Sequence, residues 1–133
     1  MPYPDVELML SAWLKTYLGV RVVTDTPSNL ALVLPVVQIT RYGGTDTVPG
    51  LDRATVDVDA YAANRTAAAM LAERVRYGLR FVLQGQQVGD ITVSRVETIV
   101  GPSWRPYDNT ALRRFGASYS LTLHAKTIRE VTP

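Results

Sequence analysis

The chain of 133 residues has the length of one domain, which buries roughly two-thirds of the surface that its unfolded form exposes. Hydrophobic residues make up 47% and charged residues 20%, a composition too apolar for a disordered chain. The net charge of +2 is a mild excess that does not by itself indicate nucleic-acid binding. Cysteine is absent, which excludes disulfides and thiolate metal sites and is compatible with a reducing compartment.

Neither a secretory signal nor a membrane span is expected. The N-terminal segment MPYPDVELML contains prolines and acids where a signal peptide has a basic segment. No apolar run reaches the ~20 residues that a spanning helix needs. The composition therefore predicts a small soluble domain of cytosolic type.

The first predicted element is an amphipathic helix in the segment PDVELMLSAWLKTYLG. Pro4 suits its first position, and Gly19 suits its end. Two strands are predicted next, Val20 to Thr24 and Leu34 to Tyr42. The apolar face of the helix contains Val6, Leu10, Trp13, Leu14, Tyr17 and Leu18.

The segment Gly43 to Asp52 is predicted to be a long connection between strands, about twice the usual 2–5 residues of a hairpin loop. Its glycines and proline predict either a mobile tip or an arm that becomes ordered on a partner. We expect folding not to depend on it. The candidate interaction residues are Gly43, Gly44, Asp46, Val48, Pro49 and Leu51.

The next stretch changes its period abruptly from strand to helix. Strict alternation predicts a strand from Arg53 to Ala62 with Ala54, Val56, Val58, Ala60 and Ala62 toward the core and Thr55, Asp57, Asp59 and Tyr61 away from it. Asn64 suits the N-cap of a helix that runs to about Leu83. Gly78 predicts a close approach by another backbone. The apolar stripe of the helix contains Ala68, Leu71, Ala72, Val75, Leu79 and Val82.

Two further strands complete the predicted fold. The strand Ile91 to Val100 loses its alternation near Ser94 and Arg95, which predicts a bulge. A second long loop, Gly101 to Thr110, precedes a final strand in LRRFGASYSLTLHAKT. The predicted order is α-β-β-β-α-β-β. We therefore expect one α+β domain over residues 1–133, a two-layer sandwich with an antiparallel or mixed sheet of about five strands and two amphipathic helices.

Candidate catalytic groups are few. Asp57 and Asp59 could share Mg²⁺, but no third acid is evident, so a hydrated acidic strand face is the preferred interpretation. His124 is the one histidine, which excludes a histidine pair on zinc. Ser118 and Ser120 share its strand face without a nucleophile-elbow pattern. We expect no catalytic, cofactor or metal residue, and no enzyme activity.

The loop residues Trp104, Arg105 and Tyr107 mix aromatic rings with a cation. This composition is typical of single-strand nucleic-acid platforms and of protein interaction hot spots. A loop tryptophan that folds back over its own core is an equally good interpretation. These residues are candidates for interaction.

The whole-chain pattern resembles the tail terminator proteins of long-tailed bacteriophages, also described as minor tail or head–tail joining proteins. The resemblance rests on the N-terminal helix, the strand pair with a long connection, the stretch ATVDVDAYAANRTAAAMLAERVRYGL and the final strand RRFGASYSLTLHA. It implies a ring of six copies at the head-proximal end of the tail tube. Such a ring stops tube polymerisation and offers a surface for head–tail joining.

The resemblance also implies partners and a location. The partners would be further copies of the chain, the major tail tube protein and a head-completion or connector protein, with no cofactor and no membrane. DNA would pass through the lumen without specific binding, and Asp57 and Asp59 are candidates for an acidic lining. The location would be the virion tail, after assembly in the host cytoplasm.

Three alternatives remain from the sequence. The first is a head-completion or neck connector protein of a tailed phage. The second is a nucleic-acid-binding module that uses its arginines and Trp104. The third is a small hydrolase that uses Ser118 or Ser120 with His124.

Overall fold

The chain forms a six-stranded mixed sheet with two helices packed on one of its faces. The computed structural model describes residues 5–45, 51–105 and 113–125, apart from the side chains of Thr45 and Ala125. The α+β class with two helices is confirmed, whereas the expected count of about five strands is wrong by one. The elements are α1 (Val6–Leu18), β1 (Arg21–Val23), β2 (Val36–Thr45), β3 (Leu51–Ala62), α2 (Arg65–Tyr77), β4 (Gln87–Val88), β5 (Ile91–Trp104) and β6 (Arg113–Ala125).

The sheet has the strand order β1-β2-β3-β6-β5-β4. Only β1 and β2 pair in parallel, and every other described pair is antiparallel. The extra strand is β4, between the second helix and β5, where the sequence predicted no strand. It pairs with Ile91 and Thr92 at the start of β5, and a two-residue strand is too short to show a periodic pattern in the sequence.

Helix α1 ends where its sequence predicts, but its first helical residue is Val6, whereas Pro4 was expected at that position. The carboxylate of Asp5 accepts a hydrogen bond from the amide of Leu8 at 3.1 Å, so Asp5 is the N-cap. Gly19 ends the helix with a left-handed backbone, φ 71°. Pro4, expected at the first helical position, lies outside the described residues. The buried side chains of the helix are Val6, Met9, Leu10, Leu14 and Leu18.

Helix α2 is capped by Asn64, whose side chain accepts from the amide of Ala67 at 2.8 Å, as predicted. It continues as π-helical turns from Gly78 to Leu83. The last apolar position of the stripe is Leu83, which is fully buried, and not Val82, which is half-buried. Gly78 does mark a close approach, but by a side chain: a Cβ there would lie 2.5 Å from the ring of Tyr17 in α1.

The main core lies between the helices and the sheet. Leu71, Val75 and Leu79 of α2 belong to one buried cluster with apolar residues of β3 and β6, as the alternation predicts. The members from these strands include Ala54, Val56, Val58, Ala60, Ala117, Tyr119, Leu121 and Leu123.

Tyr61 is the clear exception to the predicted alternation. It was expected to face away from the core, yet it is 2% exposed and forms a second cluster with Leu30 and Val36. Val36 is the partner of Tyr61 in the β2–β3 ladder, and Leu30 comes from a short 3₁₀ helix, Leu30–Leu32, between β1 and β2. The period of β3 is therefore preserved, but both of its faces are covered near Ala62.

The strands are longer than predicted at both hairpins. β2 extends to Thr45 and β3 begins at Leu51, whereas the whole segment Gly43 to Asp52 was expected to be a loop. β5 extends to Trp104, which includes the first four residues of the predicted loop Gly101 to Thr110. The predicted bulge between Val93 and Arg95 is confirmed, and two more lie between Thr98 and Val100 and between Val100 and Ser103.

The two hairpins lie at opposite ends of the sheet. Leu51, the first residue of β3, pairs with His124 near the end of β6. Trp104, the last residue of β5, pairs with Phe115 near the start of β6. The strand ends at the β2–β3 hairpin and those at the β5–β6 hairpin therefore lie at opposite ends of the sheet. None of the helices among the described residues is long and apolar enough to cross a membrane.

Candidate functional site

The β2–β3 hairpin is fastened by a salt bridge that the sequence did not suggest. The guanidinium of Arg41 binds both carboxylate oxygens of Asp52, with Nη1–Oδ2 at 2.9 Å and Nη2–Oδ1 at 2.8 Å. The side chain of Asp52 is 4% exposed and that of Arg41 is 30% exposed. Such a two-point pair fixes both position and orientation. Asp52 therefore belongs to the packed part of the hairpin and is a residue of β3, not of a loop as was expected.

Arg41 also organises the edge of β2. Its backbone amide donates to Oε2 of Glu7 in α1 at 2.9 Å. Its Nε donates to the carbonyl of Gly43 at 3.1 Å. Backbone groups that would otherwise stand free on this strand edge are thus bonded within the chain.

Gly44 is required by the backbone of the same hairpin. Its φ is +138°, and a Cβ at this position would collide with the carbonyl oxygen of Arg53 on β3. Leu51, also a candidate, is a half-buried residue of β3. The remaining candidates of this segment, Asp46, Val48 and Pro49, lie outside the described residues.

Asp57 and Asp59 lie side by side on the sheet face opposite the helices, and both face a cation. Nη1 of Arg105 lies 3.4 Å from Oδ1 of Asp59 and 3.9 Å from Oδ2 of Asp57. The hydroxyl of Ser118 on β6 donates to Oδ1 of Asp57. The two acids are therefore part of an ion-pair cluster with Arg105, not the freely hydrated acidic face that was expected.

Gly116 makes this cluster possible. It pairs with Asp59 in the β3–β6 ladder, and Arg105 reaches Asp59 from β5 by crossing over it. A Cβ at Gly116 would lie 2.6 Å from both Cδ and Nη1 of Arg105 and would also collide with the carboxylate of Asp59. We call Asp57, Asp59, Arg105, Gly116 and Ser118 the acid–arginine cluster.

Burial raises the pKa of Asp59 above its ordinary value of 3.8, and the neighbouring charge of Asp57 adds to the increase. The positive charges of Arg105 and Arg114 oppose this change. The balance shows that the arginines only partly offset the loss of water around Asp59, whose side chain is 14% exposed.

Trp104 folds back on its own domain, as one of the interpretations proposed. Its ring meets that of Phe115 edge-on, with centroids 5.8 Å apart. The guanidinium of Arg65, at the start of α2, lies 5.1 Å from the Trp104 ring centroid, and that of Arg113 lies 5.8 Å from it. Trp104 is half-buried by these contacts. Tyr107, the third candidate of this loop, lies outside the described residues.

The geometry gives no support to a serine hydrolase. Ser118 and Ser120 lie six and four residues before His124 on one strand, or roughly 20 and 13 Å away at the usual rise per residue. His124 instead contacts Ser94 on β5 at 3.1 Å, in an exposed position. Within the described part of the chain no carboxylate contacts His124, and no group of three acidic or histidine side chains could hold a metal ion.

A polar cleft of about 490 Å³ opens between the end of α2 and β5. Nη1 of Arg80 donates to the hydroxyl of Thr98 at 3.0 Å, and Arg95 lies 3.5 Å from Glu97. Charges of both signs are thus already in contact with neighbouring groups. The cleft is lined by Arg80, Gln84, Ser94, Arg95, Val96, Glu97 and Thr98.

Comparisons with known proteins give the family and the fold of the chain. A family model described as phage tail termination protein matches residues 2–127. The fold is similar to that of a chain in the virion of a native gene transfer agent particle, with a TM-score of 0.50, 11% sequence identity and 90% of each chain covered. At that identity the similarity shows the fold alone. A search of curated proteins finds no match.

The family match defines the class as a structural protein of a phage tail. More narrowly, the chain belongs to the phage tail termination protein family, because the family match covers nearly its whole length. The resemblance read from the sequence is therefore confirmed. A structural tail family is also consistent with the expectation that the chain is not an enzyme.

Proposed function

We propose that copies of this chain form a ring, a hexamer, at the head-proximal end of the tail tube. The ring stops addition of further tube subunits and provides the surface on which the head is joined. The observation that carries this proposal is the match to phage tail termination proteins over residues 2–127. A head-completion or neck connector role is the alternative that the test below separates from it.

The placement of the two hairpins supports a role between two partners. They lie at opposite ends of one sheet, so one end is available to the major tail tube protein and the other to a head-completion or connector protein. The candidate residues Gly43, Gly44 and Leu51 lie at one end, and Trp104 and Arg105 lie at the other. A protein that ends the tube and also joins it to the head needs a separate binding surface for each of these two partners.

The sheet face away from the helices suits a lumen through which DNA passes without specific binding. Its residues from β3 and β6 include Asp57, Asp59 and several hydroxyl side chains together with Arg53, Arg114 and His124, and Arg105 is held by Asp57 and Asp59. The carboxylates of Asp57 and Asp59 oppose phosphates by like charge, and they engage Arg105, which reduces the cationic charge on which nonspecific DNA affinity depends. In this proposal Asp57 and Asp59 face the lumen, and the ring assembles in the host cytoplasm before it enters the virion.

The test uses purified protein and purified tail tubes. Mass photometry and negative-stain electron microscopy of the protein should show rings with six times the mass of one chain. Tubes assembled with the protein should carry one ring at one end and should stop growing, whereas tubes without it should grow longer. Rings that bind portal complexes but not tubes would favour the neck connector instead. A protein that stays monomeric, with and without tubes, would contradict the ring.

A further inference from the structure

The guanidinium of Arg65 is held against two aromatic rings at the β5–β6 end of the sheet. Its Cζ lies 5.1 Å from the ring centroid of Trp104 and 5.9 Å from that of Phe115, so it contacts both rings at once. The two rings in turn meet each other edge-on. We call Arg65, Trp104 and Phe115 the arginine stack. Arg65 is exposed, so the stack lies at the surface of the domain.

The stack orders the side chain of Arg65 and leaves its N–H groups available. A guanidinium that lies over an aromatic ring uses its flat face, whereas its N–H groups point along its edge. Within the described part of the chain, no hydrogen bond or ion pair engages these N–H groups. A planar set of donors is therefore held in place without an acceptor from the described residues.

The fold places the stack where a partner of the ring would dock. Arg65 is the first residue of α2 and follows β3, whose last residue, Ala62, pairs with Arg113 at the start of β6. Trp104 is the last residue of β5 and pairs with Phe115. The stack therefore lies at the end of the sheet that carries the β5–β6 hairpin, and a protein that docks on this end meets it.

The charge of this surface is positive. The guanidinium of Arg113 lies 5.8 Å from the ring centroid of Trp104, which adds a second cation beside Arg65. The two acids nearest this end belong to the acid–arginine cluster on the other sheet face, where they contact Arg105. No carboxylate within the described residues pairs with Arg65. The arginine stack therefore suits a negatively charged group of another molecule.

The position of the stack distinguishes a carboxylate of a protein from a phosphate of DNA. Phe115 pairs with Ala60 and packs against the core beneath the helices, so the stack lies on the helix side of the sheet. Asp57 and Asp59 lie on the opposite face, which is the lumen face in the proposed function. The stack is thus on the side away from the passing DNA, at an end where another protein is expected.

We propose that the arginine stack binds an aspartate or glutamate side chain of the virion protein that docks on the β5–β6 end of the ring. The inference rests on the proposed function and names the chemistry of one of its two partner surfaces. Two N–H groups of Arg65 donate to the two oxygens of the carboxylate, because the planar groups match in a two-point contact. The rings order Arg65 before binding, so less side-chain freedom is lost when the contact forms.

Reversal of the charge at Arg65 tests the contact. Rings of wild type and of Arg65→Glu are mixed with purified tail tubes and, separately, with purified portal–connector complexes, and bound protein is measured by cosedimentation. Arg65→Glu should weaken binding to one of these two partners by about tenfold or more and leave binding to the other unchanged. Arg53→Glu is the matched control, because Arg53 is exposed and lies at the opposite end of the sheet. It should leave binding to the affected partner unchanged.

Two milder variants separate a two-point contact from charge alone. Arg65→Lys keeps the positive charge but loses the planar pair of donors, so binding to the same partner should weaken by about threefold or more. Trp104→Leu removes one ring of the stack and should weaken binding in the same direction. Melting curves show whether each variant is folded, and Arg65→Lys serves alone if Trp104→Leu is not. Equal binding by wild type and Arg65→Lys would overturn the two-point contact.

The remaining outcomes identify a different occupant or a failure of the proposed function. Arg65→Glu rings that bind both partners as well as wild type would overturn the inference. A folded Arg65→Glu protein that no longer forms rings would place a second copy on the stack and would also overturn it. Weaker binding to duplex DNA, with binding to both proteins unchanged, would indicate a phosphate instead. Wild-type protein that is folded but forms no rings would contradict the proposed function itself.

Discussion

The two hairpins use the same kind of interaction and place it in different surroundings. The β2–β3 hairpin is held by Arg41 and Asp52 in a two-point contact at 2.8 and 2.9 Å, with Asp52 almost completely buried. At the β5–β6 hairpin, Arg105 meets Asp59 at 3.4 Å and Asp57 at 3.9 Å, and all three side chains keep some contact with water. The Arg41–Asp52 pair fixes the geometry of its hairpin, whereas the contacts of Arg105 are longer and lie on the surface of the sheet.

The difference shows that an ion pair contributes according to its burial and geometry, not according to the residues that form it. Removing one partner of a buried pair leaves an uncompensated charge, whereas a longer and partly hydrated pair is screened by solvent. We therefore expect the hairpin at Arg41 to be coupled to folding and the hairpin at Arg105 to be adjustable. In the proposed role between tail tube and head, the first hairpin would hold its shape and the second could adjust to its partner.

The largest effect is expected for Arg41→Ala. This change leaves the carboxylate of Asp52 buried without a partner and frees the carbonyl of Gly43. It should lower the free energy of unfolding by about 3 kcal/mol and the melting temperature by roughly 10 °C. Arg53→Ala, at an exposed position of the same hairpin, is the control and should change stability by less than about 0.5 kcal/mol. A loss for Arg41→Ala no larger than that of the control would remove the distinction between the hairpins.

Substitution of Gly44 at the first hairpin should cost more stability than substitution of Gly116 in the acid–arginine cluster. In Gly44→Ala the new methyl group meets the rigid backbone of Arg53, and the φ of +138° strains any L side chain. We expect a loss of about 2 kcal/mol. In Gly116→Ala it meets the side chains of Asp59 and Arg105, which can move, so we expect about 1 kcal/mol. Chemical denaturation of both variants measures the difference, and the reverse order would show that the acid–arginine cluster is the stiffer of the two.

A smaller effect is expected for Arg105→Ala at neutral pH. Its ion pairs are long and its side chain is 28% exposed, so the loss should be below about 1 kcal/mol. Salt screens the ion pairs of Arg105 in wild type. The stability difference between this variant and wild type should therefore be smaller at high ionic strength than at low ionic strength. A loss as large as that of Arg41→Ala would mean that the two arginines act alike.

The smallest and most specific effect concerns pH. Because the pKa of Asp59 is raised in the folded chain, the folded state binds more protons than the unfolded state from about pH 3.8 up to that raised pKa. The contribution of Asp59 to stability is therefore present at acid pH and is lost as the pH rises through this window. Asp59→Asn lacks this titration, so its stability relative to wild type should increase with pH across the window.

Denaturation of wild type and Asp59→Asn at a series of pH values measures this change. Arg105→Ala is a useful companion, because removal of the positive charge should raise the pKa of Asp59 further and move the window to higher pH. A stability difference between wild type and Asp59→Asn that is constant with pH would show that Asp59 titrates alike in the folded and unfolded chains.

Much of the fold followed from local patterns in the sequence. Periodicity predicted both helices and the core faces of β3 and β6, because side-chain direction repeats every 3.6 residues in a helix and every 2 in a strand. Asn64 and Gly19 were recognisable as caps, because capping depends on residues within one turn. The residue pattern and the order of elements together resembled tail terminator proteins, and the family match confirmed this resemblance.

The functional surfaces depended on residues that are distant in the sequence, and only the tertiary structure brought these together. Arg105 meets Asp59 across 46 positions and Ser118 meets Asp57 across 61, so no local pattern could reveal the acid–arginine cluster. Tyr61 is buried because residues of other elements cover it, although its place in the alternation is that of an outward residue. The sequence by itself determined where each element forms and which face is apolar, because these are short-range properties of the backbone. Pairing of charges, covering of sheet edges and exposure of Met70, Tyr77 and Phe81 were decided by packing between elements, which no short window of sequence contains.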